Sequence, residues 1–206
     1  MLKPEPEQLA YLRHRFARLQ ELHLAYQTFR FGEVIMGPDK TIPTPMHAQM
    51  IAQTLMIQLY SFLYSMFDYH PEWKSVDFIS IANKLRPDLD EYTVQLLDKI
   101  IRLWRQIRQP LKTIRNKVGF HQEDNREGAR KGYRQFLSLH PLHPLLMIEY
   151  LRVFFRSLDF VYERSEPRLV HFSRENFEEL KAYLEEFEQI VMNTPFDPEW
   201  FRKFLV

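Results

Sequence analysis

A chain of 206 residues can bury one sizeable core, and 45% apolar with 27% charged residues marks a globular domain rather than a disordered or fibrous one. A formal net charge of +1 excludes a global positive field for nucleic acid, so any such contact needs a local basic stripe. The lack of cysteine excludes disulfides, thiol nucleophiles and cysteine-based zinc sites, and it fits a reducing, cytoplasmic setting.

Glycine is scarce (5 residues), and no G-x-G-x-x-G, Walker or G-x-S-x-G pattern occurs, so three large enzyme classes lack their usual signature. The opening residues, MLKPEPEQLAYLRHRF, contain no signal-peptide core. Helical periodicity dominates, and no run alternates as a strand does. The spacing predicts a first helix over about Pro6 to Phe31, carried by Leu12, Phe16, Leu19, Leu22 and Tyr26, with His14 and His23 at its surface or boundary. Three prolines and a glycine make GPDKTIPTP (37–45) a loop. A second helix follows from about Met46 to Tyr69 and stops before Pro71. Its stretch AQMIAQTLMIQLYSFLYSMF is about membrane length, but Gln49, Gln53, Gln58, Ser61 and Ser65 make it a buried helix, and no membrane partner is expected.

SVDFISIANKL (75–85) reads as a short helix, and RPDLDEY as a turn into the third long helix, with Asp88 or Asp90 as N-cap. In that helix Leu97, Ile100, Trp104, Ile107, Leu111, Ile114 and Val118 are spaced 3, 4, 3, 4, 3, 4. The register holds across Pro110, which a broken helix would have no reason to do. One continuous helix from about 91 to 118, kinked at Pro110, is therefore expected. Beside the seam runs a basic stripe, Arg105, Arg108, Lys112 and Arg115. A charge stripe is ordinarily a solvated face.

HQEDNREGARKG (121–132) is polar and reads as a connection, with a short helix over Tyr133 to His140 ended by HPLHP. The segment 145–165 confines Glu149, Arg152, Arg156, Asp159 and Glu163 to one narrow stripe. Its wide apolar remainder must be covered by neighbouring helices or by a second subunit. Ser173 opens a last long helix with the capping-box-like SREN, and DPEWFRKFLV adds a short C-terminal helix. The expected fold is a single all-α domain over 1–206, an up-and-down bundle of four to five long helices with short additional ones.

His140 and His143 sit in a Pro-flanked loop without a nearby carboxylate, which is a poor metal pair, and no Glu-x-x-His exists for a di-iron bundle. No metal and no cofactor are expected. Arg115 and His121 remain, six residues apart. On a straight helix they would lie about 9 Å apart along the axis and roughly 120° around. The arginine side chain leans toward the helix N-terminus, away from the histidine. Either Gly119 bends the helix and swings His121 back, or the seam packs on its own copy, so that two arginines and two histidines line one cleft.

IRNKVGFH resembles the R-[NDH]-x4-H motif of HEPN-domain proteins, and it stands at the end of a long amphipathic helix in an all-α chain, as in that family. LYSFLYSMFDY (59–69) is similar to the aromatic-rich helix that pairs with the motif helix in abortive-infection-like members. The resemblance spans about 46–165, with helix 6–31 and segment 173–205 packed on this HEPN-like core. It implies a metal-independent endoribonuclease acting as a homodimer, a toxin or phage-defence effector with a separate antitoxin or nucleotidyltransferase partner. Arg115 and His121 would be catalytic, Asn116 supporting, and Arg108, Lys112 and Lys117 would bind RNA. Asp124 would orient the imidazole, and Asp68 is a candidate for the same cleft. Some toxin members carry a tyrosine two residues after the histidine, where this chain has Glu123. The alternative is a non-catalytic helical interaction or nucleotide-binding module acting as a dimer, with helix 145–165 as its interface.

Overall fold

In a computed structural model, the structure describes Pro4 and residues 6–31, 45–68, 77–119, 126–162 and 174–196. The described residues form seven α-helices and no strand, as the periodicity requires. They are α1 (Pro6–Phe31), α2 (Pro45–Phe67), α3 (Phe78–Leu85), α4 (Glu91–Ile114), α5 (Arg126–Ser138), α6 (Leu142–Tyr162) and α7 (Arg174–Asn193). The loop expected at 37–44, the C-terminal helix from Asp197, His121 and Asp124 lie outside the described residues.

Local chemistry explains the starts. Pro45 opens α2, where its missing N–H costs nothing. Asp77 caps α3 by accepting from the Ser80 amide at 2.9 Å. Of the two candidate caps for α4, Asp90 takes the role: one carboxylate oxygen accepts from the Thr93 amide at 2.8 Å and the other from its hydroxyl at 2.9 Å. Asp88 instead closes the 3-10 turn Arg86–Asp88.

The seam of α4 is the spine of the core. Leu97, Ile100, Trp104, Ile107, Leu111, Ile114 and Val118 are all buried, and the helix runs through Pro110 without losing the register. α2 and α6 pack against α4, α1 packs on α2, and α7 packs on α6. The aromatic side chains interlock these layers. Phe67 of α2 stacks on Trp104 of α4 at 4.4 Å, and Phe16 of α1 stacks on Phe155 of α6 at 4.7 Å. Phe78, fully buried, plugs the junction against Phe67 and Phe154 at 5.1 and 5.2 Å. That one ring ties the short α3 to two long helices.

Three expectations are corrected. The segment from Arg126 to Gly132, read as polar connection, belongs to α5, whose Gly128 and Gly132 are buried. Two glycines in a polar run look like a loop, but here they are helical, and Gly132 permits close contact with Val118. α6 begins at Leu142, with Pro144 in its first turn, where proline is tolerated. His23, placed at a surface or boundary, is buried. The apolar face of α6 is covered within the chain, since Leu146, Met147, Leu151, Val153, Phe154 and Leu158 are all buried. No described helix is long and apolar enough to cross a membrane.

Candidate functional site

At Arg115 the α-helical pattern of α4 gives way to a π-helical turn, Arg115–Gly119. The expected helix thus continues to the motif, but its last turn is widened. Such π turns recur at functional sites. α2 and α5 both pack on it. Gly132 of α5 is the tightest approach: a Cβ there would sit 2.9 Å from Lys117 Cβ and closer still to Val118 Cγ2. Only glycine lets α5 seat against the turn.

The Arg115 side chain lies 27% exposed, neither buried nor free. Its Nη1 donates to Asp68 Oδ2 at 3.0 Å, and its guanidinium lies 5.4 Å from the centroid of the Tyr64 ring. Tyr64 in turn donates its hydroxyl to Asp68 Oδ1 at 3.3 Å. Arg115 Nε has no hydrogen-bond partner among the described residues. Two further arginines reach this place. Arg15 of α1 donates from Nη2 to the Ser65 carbonyl at 2.5 Å. Burial lowers the pKa of Arg15, Arg115 adds to that effect, and Tyr11 and Asp68 oppose it. Arg108 bears on the Tyr64 hydroxyl: burial and then Asp68 push the Tyr64 pKa up, while Arg108 pulls it down. Among the described residues, three guanidiniums around one carboxylate leave a formal surplus of +2. Asp68 thus lies against Arg115.

The other expected residues divide. Asn116 and Lys117 ride on the π turn, half-buried, and Lys112 is exposed one turn earlier. Arg105, first in the basic stripe, lines a separate groove between α3 and α4 with the Arg86–Asp98 ion pair, 2.9 Å long. Arg105, Arg108 and Lys112 are exposed, as a solvated stripe requires, and Arg115 at its end is half-buried. Arg15 escaped the sequence reading because it lies 100 positions before Arg115, and only its place beside the seam residue Phe16 hints at it.

His140 and His143 do stack, at 4.8 Å, but their roles are structural. His140 Nδ1 accepts from the Leu142 amide at 3.2 Å, and its Nε2 donates to the Thr194 carbonyl at 3.1 Å, joining the start of α6 to the end of α7. Among the described residues no three histidine or carboxylate side chains gather closely enough to hold a metal ion. The arrangement around Arg115 can receive a phosphodiester: planar donors suit its oxygens, and a flanking carboxylate keeps one guanidinium in place. The chain matches no protein-family model, no curated protein and no solved structure.

Proposed function

We propose that the chain is a metal-independent endoribonuclease of the HEPN type, a homodimer acting on RNA in the cytoplasm as a toxin or phage-defence effector. A separate antitoxin or nucleotidyltransferase would restrain it. The observation that carries this reading is the position of Arg115. It stands on a π turn, held by Asp68 and Tyr64, inside a cluster with a +2 surplus, six residues before His121.

The chemistry follows from the residue types. His121 takes the proton of the ribose 2′-OH, the 2′-oxygen attacks phosphorus, and the bond from phosphorus to the 5′-oxygen breaks. The 5′-oxygen takes up a proton, so the products are a 2′,3′-cyclic phosphate and a 5′-hydroxyl. Arg115 stabilises the charge that builds on the phosphorane oxygens. Asn116 supports the phosphate or ribose, and Arg108, Lys112 and Lys117 guide the backbone. Arg15 adds positive charge from α1.

The test is cleavage of RNA in EDTA by wild type, Arg115→Ala and His121→Ala. Cleavage by wild type alone is expected. Cleavage that requires an added metal, or that survives both substitutions, contradicts the reading. The Asp68–Arg115 pair also favours a second reading, a non-catalytic dimeric interaction or nucleotide-binding module in which Arg115 is a structural ion-pair partner. It predicts no cleavage under any condition.

A further inference from the structure

A groove of about 670 Å³ opens between α1, α6 and α7, lined by residues that the Arg115 cluster does not use. Its size falls within the range of small-molecule sites. On α1, the buried seam Leu12–Phe16–Leu19 arrives at its next helical step on His23. An imidazole thus occupies a core position. It is 9% exposed, and its Nε2 has no hydrogen-bond partner among the described residues. On α6, Glu149 is 7% exposed, and Arg152 Nη2 lies 2.6 Å from its Oε2. Arg152 Nε, also covered, has no hydrogen-bond partner among the described residues. From α7, the Tyr183 ring holds the Arg152 guanidinium at 5.3 Å.

Each buried polar group left unpaired costs about 1–3 kcal/mol. Two of them stand in one groove beside a buried carboxylate, and that arrangement calls for a ligand to complete it. The charges limit which ligand. Arg152 is already neutralised by Glu149, and Glu179 stands on the groove wall, so two carboxylates face one guanidinium for a formal −1. Burial, and secondarily Arg152, disfavour the charged form of His23, so the imidazole does not reverse that sign. An anion is therefore unwelcome. The open functions are a donor, Arg152 N–H, next to the Glu149 carboxylate as acceptor, with the unpartnered nitrogen of the neutral His23 imidazole as a second ring-edge contact for the same group. A group that presents C=O beside N–H satisfies both. Leu24, Ile148 and Leu180 supply apolar walls for the body that carries it.

We propose that this groove binds a small neutral ligand with a carboxamide or lactam edge on a flat apolar body. The inference does not rest on the nuclease reading.

Benzamide, benzoate and benzamidine test it, because they share a shape and differ in charge and donor pattern. Each is titrated into the full chain above pH 6.5, the ordinary imidazole value, and followed by NMR chemical shifts. Benzamide is expected to bind saturably with a Kd of ~1 mM, as a fragment does, and the other two at least about tenfold more weakly. His23→Leu completes the apolar seam and keeps the fold, and it weakens benzamide about five- to tenfold. Glu149→Gln frees Arg152 and shifts the preference from benzamide to benzoate. Equal binding of all three probes by wild type overturns the proposal. So do a wild-type preference for benzoate, no saturable shift with any probe, or undiminished benzamide binding by a folded His23→Leu chain.

Discussion

Two of the molecule's arginine–carboxylate pairs, Arg115–Asp68 and Arg152–Glu149, differ in what surrounds them. At the end of α4, Arg115 meets Asp68 with both side chains about a quarter exposed, and Arg15 and Arg108 add further positive charge. Beside α1, Arg152 meets Glu149 with the carboxylate buried and the guanidinium side chain about a third exposed, and Glu179 and a neutral His23 imidazole line the same groove. The first place has surplus charge that solvent can reach, which suits a polyanion. The second has no positive surplus, and its His23 Nε2 and Arg152 Nε have no hydrogen-bond partner among the described residues, which suits a small neutral molecule. An ion pair by itself states neither function. Its exposure and its neighbours do.

Substitutions that separate the two places follow, beginning with the largest effect, which falls on the core they share. Phe78→Ala removes the plug between α2, α3 and α6 and should cost about 3–5 kcal/mol in denaturant unfolding, damaging both places together. A loss below 1 kcal/mol would mean that the aromatic junction does not hold them. Gly132→Ala acts on the first place alone. Its methyl meets Val118 and Lys117, and the overpacking, about 1–3 kcal/mol, exceeds the helix-propensity gain of about 1 kcal/mol. The substitution should lower stability and RNA affinity while leaving benzamide binding intact.

Asp68→Asn sharpens the electrostatic contrast. The pair is a quarter exposed, so its loss should cost no more than about 1 kcal/mol. It frees Arg115 for phosphate, and the slope of log affinity against log salt for single-stranded RNA should steepen by about 0.7. An unchanged slope would place Asp68 away from the RNA path.

The smallest effect is a pH slope from the second place. His23 has its pKa lowered below 6.5, first by burial and then by Arg152. As pH falls below 6.5, the unfolded chain takes up a proton that the folded chain refuses, so stability is lost in that window. Glu149, raised above 4.5 mainly by burial and lowered only in part by Arg152, has the opposite slope: the folded chain keeps its proton longer, and stability falls as pH rises through its folded value. Thermal melts at pH values just above and below 6.5 should show wild type losing more than His23→Leu on acidification. His143, lowered by burial and by His140, leaves a residual slope in both. Identical slopes would mean that His23 is not buried in solution.

The pattern of legibility has a physical basis. A helix seam is a local repeat, so Leu97 to Val118 could be read off the chain even across Pro110, and the cap at Asp90 is local as well. The contacts of Arg15 with Ser65, Asp68 with Arg115, and His23 with Arg152 join residues dozens of positions apart, and no periodicity records them. The polar stripe that begins at Glu149 shows its partner Arg152 on the same helix, but not the cover, which comes from α1 and α7. Gly128 and Gly132 misled for the converse reason. Glycine marks a turn and a tight helix contact alike, and only the facing Val118 tells them apart.

The 2′-oxygen is the nucleophile in the proposed reaction, so an RNA oligonucleotide with a single 2′-deoxy residue at the cleaved position is the most direct probe. In EDTA, mass spectrometry should find the all-ribose strand cut to a 2′,3′-cyclic phosphate and a 5′-hydroxyl, and the substituted strand intact at that site. Cleavage at the deoxy residue, or a 5′-phosphate product, would contradict the account.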